Sequence, residues 1–243
     1  MREDVTGYGD DLAHIHARGF TSLAEEAAEV IVRLLGAPRG TVVDLGCGSG
    51  VTTRALLEAG HEVLAVDTSA AMLELAARAA PGARFVRSSA LELELPANCA
   101  AVLAVGEVLN YVEEDLGPLY ERVARALAPG GLFVFDLAGP GRIPGGGPAR
   151  HWTEGDDWAV LVETEEDPVT AALTRRMTTF RETGGAWRRG NETHRQRLHR
   201  PADVASRLRE LGLRVRIRRG YAGTPFAPRH FVVIANRPAR DRV

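Results

Sequence analysis

The sequence predicts an α/β chain in which a mostly parallel sheet is covered by helices on both faces and is accompanied by a small antiparallel β insertion. Two observations carry this. Between Thr41 and Asp136 short β-branched or apolar runs alternate with helix-spaced segments closed by glycine or proline, so successive strands need crossover connections. From Trp158 to His199 three extended runs follow one another instead, the last two joined across Thr183-Gly-Gly185, as in antiparallel pairing.

Taken in order, Ser22-Leu-Ala-Glu25 has the capping-box pattern and feeds an amphipathic helix to Leu35. Residues 1–40 are therefore a helical lead-in that can serve as a lid. Thr41-Val-Val-Asp-Leu45 is a strand ending in Gly46-Cys-Gly-Ser-Gly50, and Val51 to Ala59 is a helix stopped by Gly60. Glu62 to Asp67 repeats the strand signal, and Ser69 to Ala80 is a helix ended by Pro81-Gly82. Ala83 to Arg87 and Ala100 to Val105 are further strands, Gly117-Pro118 opens a helix to Leu127, and Leu132 to Asp136 is the fifth strand. Residues 41–141 thus form a core unit. Gly139 to Ala149 holds five glycines and three prolines and is read as loop. Trp158–Glu166, Ala171–Arg181 and Trp187–His199 make the insertion, 142–200, a cover for substrate. Pro201 to Leu211 is a helix; Arg214–Arg218 and His230–Asn236 are close enough to pair antiparallel at the sheet edge, so 201–243 returns to the core.

The composition narrows the chemistry. The chain has 243 residues and a formal net charge of −2, and its 30 basic residues are all arginine. Mechanisms that need a lysine Schiff base, a lysine general base or a phosphate-loop lysine are excluded. Up to Gly141 there are 10 arginines and 20 acids; beyond it there are 20 arginines and 12 acids. Such a split fits a nucleic-acid surface, an anionic substrate, or a solvated arginine face that pairs with an acidic neighbour. Cys47 and Cys99 lie far apart with no metal-type spacing, which predicts a reduced, cytoplasmic protein. The longest apolar run, Cys99 to Gly106, is far shorter than the ~18 residues of a membrane span, and no targeting segment is expected at the charged N-terminus. His14 and His16 lack acidic partners at helical spacing, so no metal site is expected.

A glycine turn between the first strand and first helix lets a ligand approach the backbone and aims helix N-terminal amides at it. A dinucleotide fingerprint would need glycines at 46, 48 and 51, but position 51 is valine and Gly50 comes one residue early. Asp44, just before the turn, would repel a pyrophosphate and favour an ammonium group, directly or through water. Val42-Val-Asp-Leu-Gly-Cys-Gly-Ser-Gly50 resembles the first motif of the class I S-adenosylmethionine-dependent methyltransferases. Val63-Leu-Ala-Val-Asp67 resembles the family's second strand, whose terminal acid holds the two ribose hydroxyls.

The resemblance covers about 41–137 and 201–237. It implies a Rossmann-like seven-stranded sheet with an antiparallel last strand and S-adenosylmethionine as cofactor. It makes Gly46, Cys47, Gly48 and Gly50 cofactor-binding, with Asp44 beneath them, Asp67 and Thr68 at the ribose, and Met72 against adenine. Ser89 and Ala90 stand in the third-strand segment, where Ser89 replaces the usual aspartate that takes the adenine amine. Val105-Gly-Glu-Val-Leu-Asn-Tyr111 resembles the segment lining the methyl-transfer site, which adds Gly106 and Glu107 to the cofactor contacts and makes Asn110 and Tyr111 catalytic candidates. Tyr8, in a segment resembling the N-terminal helix of small-molecule members, would close over the cofactor.

Glu107 is open between a solvated helix-start acid and an anchor for an ammonium or water. His194 shares a strand face with Glu192 and Gln196 and is a candidate base if that face looks inward. The acceptor is expected to be a small molecule methylated at nitrogen or oxygen by in-line displacement; an anionic one would be held by arginine forks such as Arg175 or Arg195. A nucleic-acid methyltransferase is the alternative, as is a cofactor-binding protein or cyclisation catalyst that transfers no methyl group. Against nucleic acid, Arg214, Arg216 and Arg218 alternate onto one face opposite Val215 and Ile217, as a solvated strand does.

Overall fold

The computed structural model describes residues 8–223 and 226–239. A seven-stranded sheet has the order β10-β11-β5-β4-β1-β2-β3, built from β1 (Thr41–Leu45), β2 (Glu62–Asp67), β3 (Arg84–Arg87), β4 (Cys99–Ala104), β5 (Leu127–Ala138), β10 (Arg214–Arg218) and β11 (His230–Asn236). Neighbours among β1 to β5 pair in parallel; β11 pairs antiparallel with both β5 and β10. This is the mostly parallel sheet with a reversed last strand that the sequence predicts.

Strand alternation assigns each side chain its layer. Val43, Leu45, Val102, Phe133 and Phe135 pack with Leu119, Tyr120 and Val123 of α5 (Gly117–Ala126) and Val204 and Leu208 of α6 (Pro201–Glu210). Their neighbours Val42, Ala101, Leu103 and Val134 turn to the other face. There they meet Ala27, Val30 and Ile31 of α2 (Ser22–Leu35), Leu56 of α3 (Val51–Glu58) and Ala76 of α4 (Ala70–Ala79). Both faces are dry, so the sheet presents its ligand surface only at the strand ends. The capping box expected at Ser22 is not formed: the helix starts at Ser22 itself, no side chain caps it, and the Glu25 N–H bonds the Thr21 carbonyl.

The insertion is a separate antiparallel sheet of four strands, β6 (Ala149–Gly155), β7 (Trp158–Asp167), β8 (Ala172–Thr183) and β9 (Ala186–Arg197), in that order. β6 falls where the sequence predicts no strand. It is an edge strand with no buried residue, so nothing selected the apolar alternation that marks its neighbour β7. The inner face of the insertion carries α1 (Asp10–Gly19): Leu12 and Ile15 pack on Trp158, Val160, Val162 and Met177. Charge pairs of Asp11 with Arg181 and Arg188 rim this contact, and His14 Nε2 lies 2.8 Å from Asp157. Part of the acidic and basic asymmetry of the sequence is thus spent joining α1 to the insertion. No helix among the described residues is long and apolar enough to cross a membrane.

Candidate active site

The C-terminal ends of β1, β2 and β4 open a crevice at the point where strand order reverses, between β1 and β4. The chain leaves β1 through two glycines that matter for different reasons. A Cβ on Gly46 would lie 2.5 Å from Val108, so this residue lets the turn after β1 touch the turn after β4. Gly48 has φ +54° and open space where a Cβ would point, which is a main-chain shelf that a ligand can approach. Gly50 then caps α3.

Asp67, at the end of β2, fixes the shelf. Its Oδ2 accepts the Gly48 N–H and its Oδ1 the Ser69 N–H, both at 2.9 Å. Burial pushes its carboxyl up, while those N–H donors oppose the shift. The side chain remains half-exposed, so its free lone pairs can accept two vicinal hydroxyls. Ser69 caps α4 by accepting the Met72 N–H at 3.2 Å, and Met72 is buried behind the shelf. Thr68 is exposed, and its carbonyl accepts the Arg87 Nε–H at 3.0 Å. Ser89 caps its own turn, taking the Glu92 N–H on Oγ at 3.2 Å, and the Ala90 carbonyl holds Arg122 at 2.9 Å. The shelf, the carboxylate and the open Cβ space suit an adenosyl group with an attached amino-acid tail.

One residue of this region does other work than expected. Asp44 lies under the turn, 1% exposed, and accepts the Thr53 hydroxyl at 2.6 Å. Burial pushes its carboxyl up to about 6 against that hydrogen bond, so it anchors α3 from below rather than lining the shelf. Burial pushes the Cys47 thiol far up as well, with Asp44 and Asp67 adding to the shift, which keeps it a thiol and unreactive.

Beyond β4 the backbone turns at Gly106 and Glu107, both left-handed at φ +96° and +59°. The buried Asp136 carboxylate on β5 holds this conformation, accepting the Gly106 N–H at 2.9 Å and the Glu107 N–H at 2.6 Å. Tyr221 donates its hydroxyl to the same carboxylate at 2.7 Å, and His230 Nε2 lies 3.2 Å away. A non-glycine residue held left-handed by a buried carboxylate is the kind of strain that functional turns retain. Its effect is to place the Glu107 side chain among Arg142 at 2.5 Å, Arg175 at 3.1 Å and Gln196 at 3.5 Å. Glu107 is thus neither solvated nor free to anchor an ammonium: it is buried and shared by two guanidinium groups.

A short 3-10 turn, Val108–Tyr111, follows. Asn110 is fully buried and spent on main chain, donating to the carbonyls of Ala138 at 3.0 Å and Arg197 at 2.5 Å and accepting the Ala138 N–H at 3.0 Å. It braces β5 against β9 with both of its N–H donors spent and its side chain fully buried, which corrects the expectation that it is catalytic. Tyr111 is different. Its hydroxyl lies 3.3 Å from His194 Nδ1 and 3.5 Å from the Tyr8 hydroxyl, and His194 Nε2 lies 3.0 Å from Glu192 Oε2. Burial pushes the Tyr8 phenol well above its usual value, so it stays protonated. Its carbonyl accepts the Ser69 hydroxyl at 2.6 Å, which ties the N-terminal segment to the shelf.

The fold therefore gathers Tyr8, Glu107, Tyr111, Arg175 and His194 on one side of the crevice and Gly46, Cys47, Gly48, Asp67, Thr68 and Met72 on the other. Arg195 points to the opposite, solvent face of β9. Sequence reasoning missed Arg142, Asp136 and Tyr221. Arg142 sits in the glycine-proline loop, where no periodicity signals a direction, and the other two looked like ordinary core or loop residues.

Residues 42–131 match the family described as a methyltransferase domain. The chain is 26% identical over 188 residues to the putative methyltransferase YqeM of Bacillus subtilis, covering 73% of this chain and 74% of that one. It is 37% identical over 113 residues to a trans-aconitate 2-methyltransferase of Methylobacterium nodulans, a match spanning 46% of this chain and only 43% of the relative. A S-adenosylmethionine-dependent methyltransferase structure from Clostridium acetobutylicum superimposes with a TM-score of 0.78 at 19% identity, covering 93% and 98% of the two chains. Sheet order and reversed last strand agree with that structure, so the chain has the fold of S-adenosylmethionine-dependent methyltransferases, and its residues 42–131 match a methyltransferase domain.

Proposed function

We propose that this chain methylates a nitrogen or oxygen atom of a small, anion-bearing molecule enclosed between the strand ends and a lid made of α1 and the insertion. The observation that carries the reading is Tyr8. Its carbonyl is bonded at the shelf through Ser69, and its phenol stands beside Tyr111, so cofactor and acceptor sites adjoin under one cover.

S-adenosylmethionine, when bound, supplies a methyl group activated as a sulfonium for in-line displacement. Asp67 would hold the ribose hydroxyls, the Gly46–Gly50 turn the amino-acid tail, and Met72 the adenine side. The rest is placement. Near-attack orientation contributes on the order of 7–11 kcal/mol, more than one general base supplies, and a covered, water-poor site suits a reaction in which charge is dispersed.

Arg175 supports the anionic acceptor. Its side chain is three-quarters buried, yet among the described residues a single donor, to Glu107, is engaged in side-chain bonding. The remaining N–H groups form a planar fork suited to a carboxylate or phosphate.

Isothermal titration with S-adenosylmethionine and S-adenosylhomocysteine tests the cofactor half, with binding expected and its absence fatal to the reading. Production of S-adenosylhomocysteine across a set of carboxylated and phosphorylated metabolites tests the transfer; turnover confined to uncharged molecules would remove the role of Arg175.

A further inference from the structure

We infer that the atom methylated is one that must lose a proton, an amine nitrogen or a hydroxyl oxygen rather than a carboxylate oxygen, and that Glu192 is the positioning residue that readies His194 to receive that proton through Tyr111. The inference rests on the methyl-transfer reading above and narrows it.

Glu192 and His194 lie two residues apart on β9, so both project from its inner face while Thr193 projects outward. Glu192 Oε2 stands 3.0 Å from His194 Nε2. A carboxylate can only accept, so in the neutral imidazole the proton sits on Nε2. That leaves Nδ1 bare, and Nδ1 is the atom 3.3 Å from the Tyr111 hydroxyl, which must then donate to it. Side chains on β9 and on the turn after β4 are thereby arranged as a directed chain: carboxylate, imidazole, phenol. Tyr8 lies edge-on to the imidazole, its ring centroid 5.0 Å away. Arg175 is His194's partner across the β8–β9 ladder.

The chain has a use only if protons are released. In methylation of an N–H or O–H acceptor, the new bond to carbon forms and the S–C bond breaks with its electron pair left on sulfur. The acceptor's proton passes to Tyr111 Oη as the Tyr111 proton passes to His194 Nδ1. The positive charge lost from sulfur reappears as an imidazolium paired with Glu192 and later leaves to water. A carboxylate oxygen brings no proton, and the relay would be idle.

The test uses the full chain saturated with S-adenosylhomocysteine. Nitrogen-15 spectra of the histidines should show His194 as the Nε2–H tautomer; the Nδ1–H tautomer would overturn the inference, and this reading needs no variant to fold. In E192Q, whose amide can donate to Nε2, the tautomer should reverse. With an amino sugar phosphate, a catechol carboxylic acid and a tricarboxylic acid as probes, E192Q should lower kcat on whichever of the first two turns over by ~100-fold, with affinity for S-adenosylhomocysteine unchanged. Turnover of the tricarboxylic acid alone, equal in wild type and E192Q, would overturn the inference while leaving methyl transfer intact. Failure of wild type to bind S-adenosylhomocysteine would instead remove the reading on which it rests.

Discussion

The two sides of the crevice are built by opposite means. The side proposed for the cofactor is local: Gly46, Gly48, Asp67, Ser69 and Met72 come from one strand-turn-helix unit and the next, and main-chain amides do most of the bonding. The side proposed for the acceptor is assembled from Tyr8, Glu107, Tyr111, Arg142, Arg175, Glu192 and His194, which meet through side chains from five separate segments. A site made of backbone constrains the sequence to glycine and one carboxylate at fixed spacing. A site made of side chains leaves each position free to change with the acceptor, as lid and loop residues do.

The sharpest way to break this comparison is to remove the single side chain on which the backbone side depends. D67A should weaken S-adenosylmethionine binding by at least ~100-fold, since two hydrogen bonds to an ionised group are worth about 1.5–3 kcal/mol each, and titration calorimetry measures it. The buried acid beneath the shelf gives the next effect. Because burial raises Asp44 to about 6, the folded chain binds a proton that the unfolded chain releases near pH 4. Stability from this group is therefore present at low pH and is lost as pH rises through about 6. The loss is on the order of 3 kcal/mol. Urea unfolding from pH 4 to 7 without cofactor should show it, and D44N should remove it.

Substitutions on the acceptor side should separate cleanly from these. R175M is expected to raise KM for an anionic acceptor roughly tenfold, about 1.4 kcal/mol, while the S-adenosylmethionine Kd stays within about threefold. An equal loss of both affinities would mean that the two sides are one unit. The smallest effect is expected at the lid rim: D11N breaks pairs with Arg181 and Arg188 that are partly solvated, so unfolding free energy should fall by no more than about 1 kcal/mol, and by less in high salt.

The same contrast explains what could be read from the sequence. The parallel strands follow from local pattern, because strand alternation and glycine turns are written in consecutive residues, whereas the reversed last strand was implied by the family resemblance. The β6 edge strand lacked that pattern since neither face is buried. Glu107 looked like a free acid because its partners lie 35 and 68 positions away. Asn110 looked available because its bonds run to β5 and β9 main chain, invisible without the register of both. Glu192 was legible only as a residue sharing a face with His194; which way that face turned depended on how the insertion docks.

Tyr8 joins the two sides through atoms of a single residue, its carbonyl at Ser69 and its hydroxyl at Tyr111. One residue thus carries two separate bonds, and a substitution that shifts its main chain reaches the Ser69 cap of α4, whereas loss of the phenol alone reaches only Tyr111.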